Sequence, residues 1–356
     1  MSYTRREIGK LALAVPAAGL LPTGLFAQAR PNSKWGGVQI GIIAPYAFQQ
    51  TASTAEEILK GMVELGIDAV ELQNGPVEQY AGAPASGRGR GGGQRAGRSG
   101  GAPGGAREAA ATPAAGGAAG GGGGRRGGGR AELTPEQQAE QRARAEQLKK
   151  WRLSVPMDKF QAFRKMYNDA GVNIYGFKLG LTGNMTDEDY DYAFNVTKAL
   201  GANQLTMELP NSSAVSKRIG EFATKHRIMV GYHQHLQATF NLWDEAMSQS
   251  NYNGINLDIG HYVAATSQSP IPLIQKHHRR ITSIHLKDRK RADNGQTNMP
   301  WGQGDTPIGE VLQLMKKEKY TFPATIELEY RVEGSDPMTE LKKCVQYCKD
   351  ALGTSS

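Results

Sequence analysis

Strand-like and helix-like segments alternate along almost the whole chain. Eight strand-like segments recur, each followed by helix, and no glycine-rich nucleotide loop follows the first strand. The alternation implies a parallel sheet. Eight such units close into an α/β fold of the (β/α)8 (TIM) barrel type, which needs about 250 residues, and the chain has 356. An open doubly wound sheet is the second choice, weakened by the missing nucleotide loop.

The elements follow in order. Residues 38–43 read as the first strand and 54–65 as a helix, with Ser53 or Thr54 as N-cap, Glu56 and Glu57 in its first turn and Gly66 at its end. Residues 67–72 are the second strand. Residues 81–130 then hold 21 of the 45 glycines, mixed with alanine and arginine. Such a segment cannot bury enough apolar surface to offset its chain entropy, so a disordered insertion is expected after the second strand. A charged helix follows over 134–150, with Pro135 at its first position. The alternation resumes with helices at 157–170, 187–200, 213–225, 242–249, 271–277, 308–318 and 338–352. Strands are expected at 172–179, 203–209, 228–233, 255–259, 281–286 and 324–328. The barrel thus spans 36–352. Cys344 and Cys348 lie four apart on the last helix, a poor geometry for a disulfide, and read as packing residues.

Residues 1–29 stand apart. Arg5-Arg6 and Lys10 precede an apolar run over 11–26, broken by Pro16 and Pro22, and Ala27-Gln28-Ala29 has a small-x-small cleavage pattern. The segment reads as a cleaved signal peptide of the twin-arginine type, implying the twin-arginine export machinery as a partner, a periplasmic location and no stable membrane span after processing. The net charge of +8 does not point to nucleic acid. Residues 1–29 carry +2 and 81–130 carry +7, which leaves the remainder at −1.

In such a barrel the chemistry sits at the C-terminal strand ends. The fourth strand ends in Glu208, and the fifth in His233-Gln234-His235. The sixth ends in Asp258 with His261 beyond it, the seventh in His285-Leu286-Lys287-Asp288, and the eighth in Glu327-Leu328-Glu329. Polar groups gathered at one end of an apolar barrel would each cost several kcal/mol if left unpaired. A divalent cation resolves that cost. Asp, Glu and His ligands together suit Mn2+ first, then Zn2+, Co2+ or Mg2+. Strand alternation puts Glu327 and Glu329 on one face, with Glu327 deeper.

The strings LDIGH (257–261), IHLKD (284–288), WGQGD (301–305) and IELEY (326–330), in this order, resemble the xylose isomerase-like barrel superfamily. That group is often labelled sugar phosphate isomerase/epimerase, and it includes inosose dehydratases, ketose 3-epimerases and endonuclease IV. The resemblance implies one divalent metal held by Asp258, His285, Glu327 and a fourth ligand. Glu208 is preferred for that place over His235, because the fifth strand carries Gly231-Tyr232-His233 where many relatives carry a glutamate. The Tyr232-His233-Gln234-His235 string is similar to the inosose dehydratase branch. A metal beside adjacent carbonyl and hydroxyl oxygens acidifies the C–H between them, so the implied activity is proton transfer on a sugar-like molecule. Glu208, His233 and Glu327 are the candidate acids and bases. His235, His261, Lys178, Lys287 and Glu329 are the candidate substrate contacts, with a supporting role for His261 the alternative.

The resemblance therefore implies a sugar isomerase or epimerase, with a lyase or dehydratase of a keto-sugar, oxidised glycoside or inosose as the alternative. Export favours an unphosphorylated sugar or cyclitol. A non-catalytic sugar-binding barrel is the lesser alternative, and a homo-oligomer is the common state of relatives. Endonuclease IV draws further metal-binding histidines from its second and third strands. Here those strands end in Gln73-Asn74 and Lys178, so one metal is expected and nucleic acid is not.

Overall fold

The structure, a computed structural model, describes residues 30–49, 51–84 and 134–353. The expected signal segment at 1–29, and the insertion expected at 81–130 apart from its first four residues, lie outside the described residues.

Eight parallel strands form a closed barrel in sequential order. They are Val38–Ala44, Ala69–Gln73, Asn173–Lys178, Gln204–Glu208, Met229–His233, Asn253–Asp258, Ile281–Leu286 and Ala324–Ile326, numbered here first to eighth. Each pairs with the next, and the first closes the ring on the eighth through Ile40↔Ala324, Gly41↔Thr325 and Ile42↔Ile326. A two-residue strand, Lys34–Trp35, pairs antiparallel with the first and lies outside the ring.

Strand periodicity explains what the barrel holds. Ile40, Ile42, Val70, Leu72, Leu205, Val230, Ile255, Leu257, Ile284, Leu286, Ala324 and Ile326 belong to the apolar core that includes the surrounding helices. The intervening positions face the lumen. Instead of the branched apolar layers common in such barrels, they carry a hydrogen-bonded column in which Tyr175 meets Thr325, and Glu71, Thr206, Asn256, Ser283 and His285 meet one another.

Helix ends follow local chemistry. Helix α1 (Ala55–Leu65) opens with a capping box between Thr54 and Glu57 and closes on Gly66 in the left-handed region. The expected charged helix runs over Pro135–Ser154, and residues Cys344 and Cys348 are free thiols buried under the last helix, Pro337–Leu352. Two short helices, Asn74–Tyr80 and Ile259–Thr266, were not expected. Both start within one residue of a strand end, and neither is long enough to show a helical period.

Gly41 sits at a tight place in the lumen. A Cβ there would fall 2.7 Å from Tyr175 Cε1 and 3.2 Å from the Ala69 carbonyl oxygen. Tyr175 cannot swing away freely, since its hydroxyl lies 2.6 Å from Thr325 Oγ1. Gly41→Ala is expected to cost about 1–3 kcal/mol by overpacking, read from urea unfolding midpoints. Gly75→Ala, where an added Cβ meets nothing within 4 Å, should change stability by less than about 0.5 kcal/mol.

Candidate functional site

The sixth strand shows how backbone and chemistry are joined. Asp258 is at once its last residue and the N-cap of the helix Ile259–Thr266, its Oδ1 accepting from His261 N at 2.7 Å. Gln234 clamps the Asp258 backbone on both sides, donating to its carbonyl oxygen at 2.6 Å and accepting from its N–H at 3.1 Å. Gly260 is required by a close approach, because a Cβ there would stand 2.6 Å from the Lys287 carbonyl oxygen. The Asp-x-Gly-His string therefore encodes a strand-to-helix turn and places a buried carboxylate at the strand end.

The Gly302-Gln303-Gly304-Asp305 string is likewise structural in part. The Asp288 carboxylate accepts from the N–H groups of Gly302, Gly304 and Thr306 at 2.8, 2.9 and 3.2 Å. A Cβ on Gly304 would lie 1.9 Å from Asp288 Oδ1. The loop after the seventh strand is thus folded around one buried carboxylate.

At the mouth and just below it, His233, Asp258, His285 and Glu327 are all buried, and each offers a ligand atom within 4.8 Å of the others. His285 Nδ1 lies 2.7 Å from Glu327 Oε2. Lys287 Nζ lies 2.9 Å from Asp258 Oδ2, 3.4 Å from Glu327 Oε2 and 2.8 Å from Glu329 Oε2. These are ion-pair distances without good hydrogen-bond alignment, and Asp258 Oδ2 is a buried oxygen that accepts no hydrogen bond. Among the described residues, five carboxylates, from Glu71, Glu208, Asp258, Glu327 and Glu329, gather around the two ammonium groups of Lys178 and Lys287 and the imidazoles of His285 and His235. The centre keeps an excess of negative charge and an open acceptor, both of which suit a divalent cation.

Electrostatics follow from this packing. Burial would push the His285 imidazole down, yet the charges of Glu71 and Glu327 and their hydrogen bonds raise it to about 10. Burial would raise Glu71, but the His285 charge, its hydrogen bond, Lys178 and Thr206 hold it below the ordinary carboxylate range. Glu327 is held down against burial by Lys287 and His285. His233 is pushed well below the usual imidazole value by burial and by the Lys178 and His285 charges, so it is neutral. His261, desolvated and beside Lys287 and Arg289, falls to about 2 and is neutral too.

The structure places every expected site residue at this end of the barrel but sorts the residues differently. Asp258, His285 and Glu327 sit together, with His233 as their fourth neighbour. Glu208, the expected fourth ligand, has a side chain 49% exposed against 0% for Asp258. Its Oε1 lies 3.1 Å from Lys178 Nζ and its Oε2 3.6 Å from His235 Nδ1, so the carboxylate is committed to the mouth. Glu208, His233 and His235 form a second group of close ligand atoms, with His233 common to both. Glu329 Oε2, expected as a substrate contact, lies 2.8 Å from Lys287 Nζ. His261 receives a hydrogen bond from Arg289 NH1 on Nδ1 at 2.8 Å, and its ring packs edge-on against His235 at 4.7 Å.

Two residues escape the motif reading. Glu71, from the second strand, is fully buried and accepts from Thr206 Oγ1 at 2.6 Å, Asn256 Nδ2 at 3.2 Å and His285 Nε2 at 2.8 Å. A lone carboxylate at an inward position of an apolar strand was the available signal. Tyr46, after the first strand, donates its hydroxyl to Glu329 Oε1, and no motif marks it.

Two outcomes follow. The raised His285 contributes stability in full below its unfolded value of 6.5 and loses it as pH climbs to about 10. The depressed Glu71 and Glu327 contribute above 4.5 and lose that contribution as pH falls below it. Chelator-treated protein should therefore be most stable between about pH 4.5 and 6.5 as far as this cluster is concerned. The alkaline decline, read from urea midpoints, should flatten in His285→Gln. Gly304→Ala should open the loop around Asp288, seen as new proteolytic cleavage within 298–306 and a loss of about 1–3 kcal/mol.

Residues 139–350 match the family described as xylose isomerase-like TIM barrel, which is more than half of the chain. A search of curated proteins gave no significant match. Solved structures with similar folds include a probable 3-DHS dehydratase, AsbF, from Bacillus anthracis (TM-score 0.54, 13% identity, covering 86% of this chain and 97% of that one). They also include an L-ribulose 3-epimerase (0.53, 12%, 89% and 95%) and a xylose isomerase domain protein from Alicyclobacillus acidocaldarius (0.53, 12%, 88% and 98%). At these identities the likeness is one of fold. With the closed eight-strand barrel and the family match together, the chain belongs to the xylose isomerase-like TIM-barrel family.

Proposed function

We propose that this barrel is a metal-dependent isomerase or epimerase that moves a proton next to a carbonyl on an unphosphorylated sugar or cyclitol. The observation that carries the reading is the buried set of His233, Asp258, His285 and Glu327, with the open Asp258 Oδ2 among them. These four residues would hold one divalent ion, Mn2+ by preference for a mixed nitrogen and oxygen set. Such an ion supplies Lewis acidity, lowering the cost of negative charge on a carbonyl oxygen while the neighbouring C–H bond breaks.

The chain's own groups do the rest. Glu208 is the base, being the accessible carboxylate at the mouth. Lys178 beside it pairs with it at 3.1 Å and offers a donor to a substrate oxygen. His235, on its other side, positions a hydroxyl or returns the proton. Lys287, Glu329 and His261 line the remaining wall and orient hydroxyl groups. Return of the proton to the adjacent carbon isomerises the sugar, and return to the opposite face of the same carbon epimerises it. If a leaving group departs from the adjacent carbon instead, the outcome is elimination. The Tyr232-His233-Gln234-His235 string supports that second reading, a lyase or dehydratase of a keto-sugar, oxidised glycoside or inosose.

The sequence of residues 1–29 supports export by the twin-arginine route to the periplasm, where free sugars are more accessible than phosphorylated ones. A homo-oligomer is proposed on the same resemblance. Among the described residues no helix is long and apolar enough to cross a membrane.

Chelated protein should lose activity on keto-sugars by about 100-fold or more and regain it with Mn2+. Asp258→Asn should abolish both metal retention and turnover. Incubation of a keto-sugar and inosose panel in D2O, followed by NMR, should show solvent deuterium at the carbon next to the carbonyl, and the product then separates isomerase, epimerase and lyase. Undiminished turnover after chelation, or no deuterium in any compound tested, overturns the reading.

A further inference from the structure

Glu71 has no role in the reaction as drawn, yet it is the most fully hydrogen-bonded carboxylate in the lumen. Its consequence emerges when donors and acceptors are assigned outward from a fixed point. That point is the backbone carbonyl of Thr282, which accepts from Gln204 Nε2 at 3.0 Å. Gln204 therefore turns Oε1 toward Ser283, whose hydroxyl donates to it at 3.2 Å. With its proton used, Ser283 Oγ accepts from Asn256 Nδ2 at 2.9 Å. The same amide nitrogen donates to Glu71 Oε2 at 3.2 Å. Both neighbours thus fix the Asn256 amide the same way round.

Two imidazoles inherit this order. Asn256 Oδ1 can only accept, so His233 Nδ1, 2.9 Å away, carries the proton and donates it. An ionised carboxylate also only accepts, so His285 Nε2 carries the proton it gives to Glu71 at 2.8 Å. The 3.4 Å approach of Asn256 Nδ2 to His285 Nε2 is then a meeting of two donors that converge on Glu71 Oε2. The other nitrogens are Nε2 of His233 and Nδ1 of His285; the latter meets Glu327 Oε2 at 2.7 Å and would give up its proton to an incoming cation, and the two rings stand 4.8 Å apart between centroids.

We propose that Glu71 is the positioning residue of the metal centre: it holds the Nε2 proton of His285 directly and anchors Asn256, which holds the Nδ1 proton of His233, so that each ring presents its remaining nitrogen as a ligand atom. The proposal rests on the reading of the cluster as a divalent-ion site. A carboxylate or carbonyl behind a ligating histidine typically carries 10–100-fold in metal affinity. Here one carboxylate stands behind two histidines, directly behind the first and through an amide behind the second.

The test uses Zn2+, which is diamagnetic, and the full chain. Long-range 15N–1H correlation spectra of the zinc-loaded protein should show His285 protonated at Nε2 and His233 protonated at Nδ1. Zinc affinity, by competition with a chromophoric chelator, should fall about 10-fold in Glu71→Gln, which keeps an acceptor but loses the charge. It should fall about 100-fold in Glu71→Met, which keeps neither. Thr206→Val removes a hydrogen bond to Glu71 outside this chain of donors. It should lower the melting temperature while leaving affinity within about 3-fold, so lost stability and lost positioning are read apart. Opposite protonation of either ring, or wild-type affinity in both Glu71 variants, overturns the proposal. A wild-type chain that binds no zinc would instead defeat the metal reading. In that event the metal-free spectrum of His233 still decides between Nδ1–H, as argued, and Nε2–H, which refutes it. Should Glu71→Met fail to fold, Glu71→Gln and the spectra carry the test.

Discussion

The contact on which the site depends is His285 held between two carboxylates. Glu71 takes one ring nitrogen and Glu327 the other, at 2.8 and 2.7 Å, with all three side chains buried. An imidazole in that position cannot rotate without breaking a charged hydrogen bond in a low-dielectric interior, where such bonds are strong. The ring is therefore fixed in plane and in orientation before any ligand arrives. Neighbouring groups are arranged around it: Asn256 and Thr206 share Glu71, Lys287 shares Glu327, and His233 packs against the His285 face. Breaking one buried pair would leave an uncompensated charge, which is far more costly than replacing the whole set by apolar residues. That asymmetry makes the column cooperative.

Much of the barrel was legible because strand-like and helix-like segments alternate along the chain and the eight units repeat the same grammar. The sorting of site residues was less so. Asp258, His285 and Glu327 announced themselves through strings at strand ends, whereas Glu71 lies inside a five-residue strand with no accompanying motif. Its partner His285 is 214 residues away, and a pairing at that separation exists only once the ring closes. Glu208 and His233 are register partners on adjacent strands, equally polar and equally near the mouth. Lys178 on one side and Asn256 on the other separate their surroundings, and neither neighbour can be read from the strand itself. The helix that starts at Ile259 was hidden for a local reason: Asp258 both ends a strand and caps a helix, so its sequence reads as strand until the N-cap hydrogen bond to His261 is seen.

The motif residues also divide in a way that strings alone do not reveal. Gly260 and Gly304 serve close approaches of backbone and carboxylate, and Asp288 folds a loop. They shape the walls of the mouth, whereas Asp258, His285 and Lys287 face into it. A strong motif match thus reports a geometry of turns as much as a set of reacting groups, and the assignment of chemistry has to come from which atoms are left without partners.

Lys287 sharpens that last point. Its ammonium sits among Asp258, Glu327 and Glu329, and these charges hold it firmly protonated against the cost of burial. A permanent cation there lets the acidic cluster fold without an added ion, since none of the three carboxylates is then wholly uncompensated. It does not complete the site. One lysine cannot satisfy three carboxylates in good alignment, and Asp258 Oδ2 remains without a hydrogen bond. On the proposed reading the lysine and a divalent ion would have separable tasks, the first to make the buried charge tolerable and the second to fill the acceptor geometry. A site built this way would keep its shape while such an occupant came and went, the preorganisation that transition-state stabilisation by fixed charges requires.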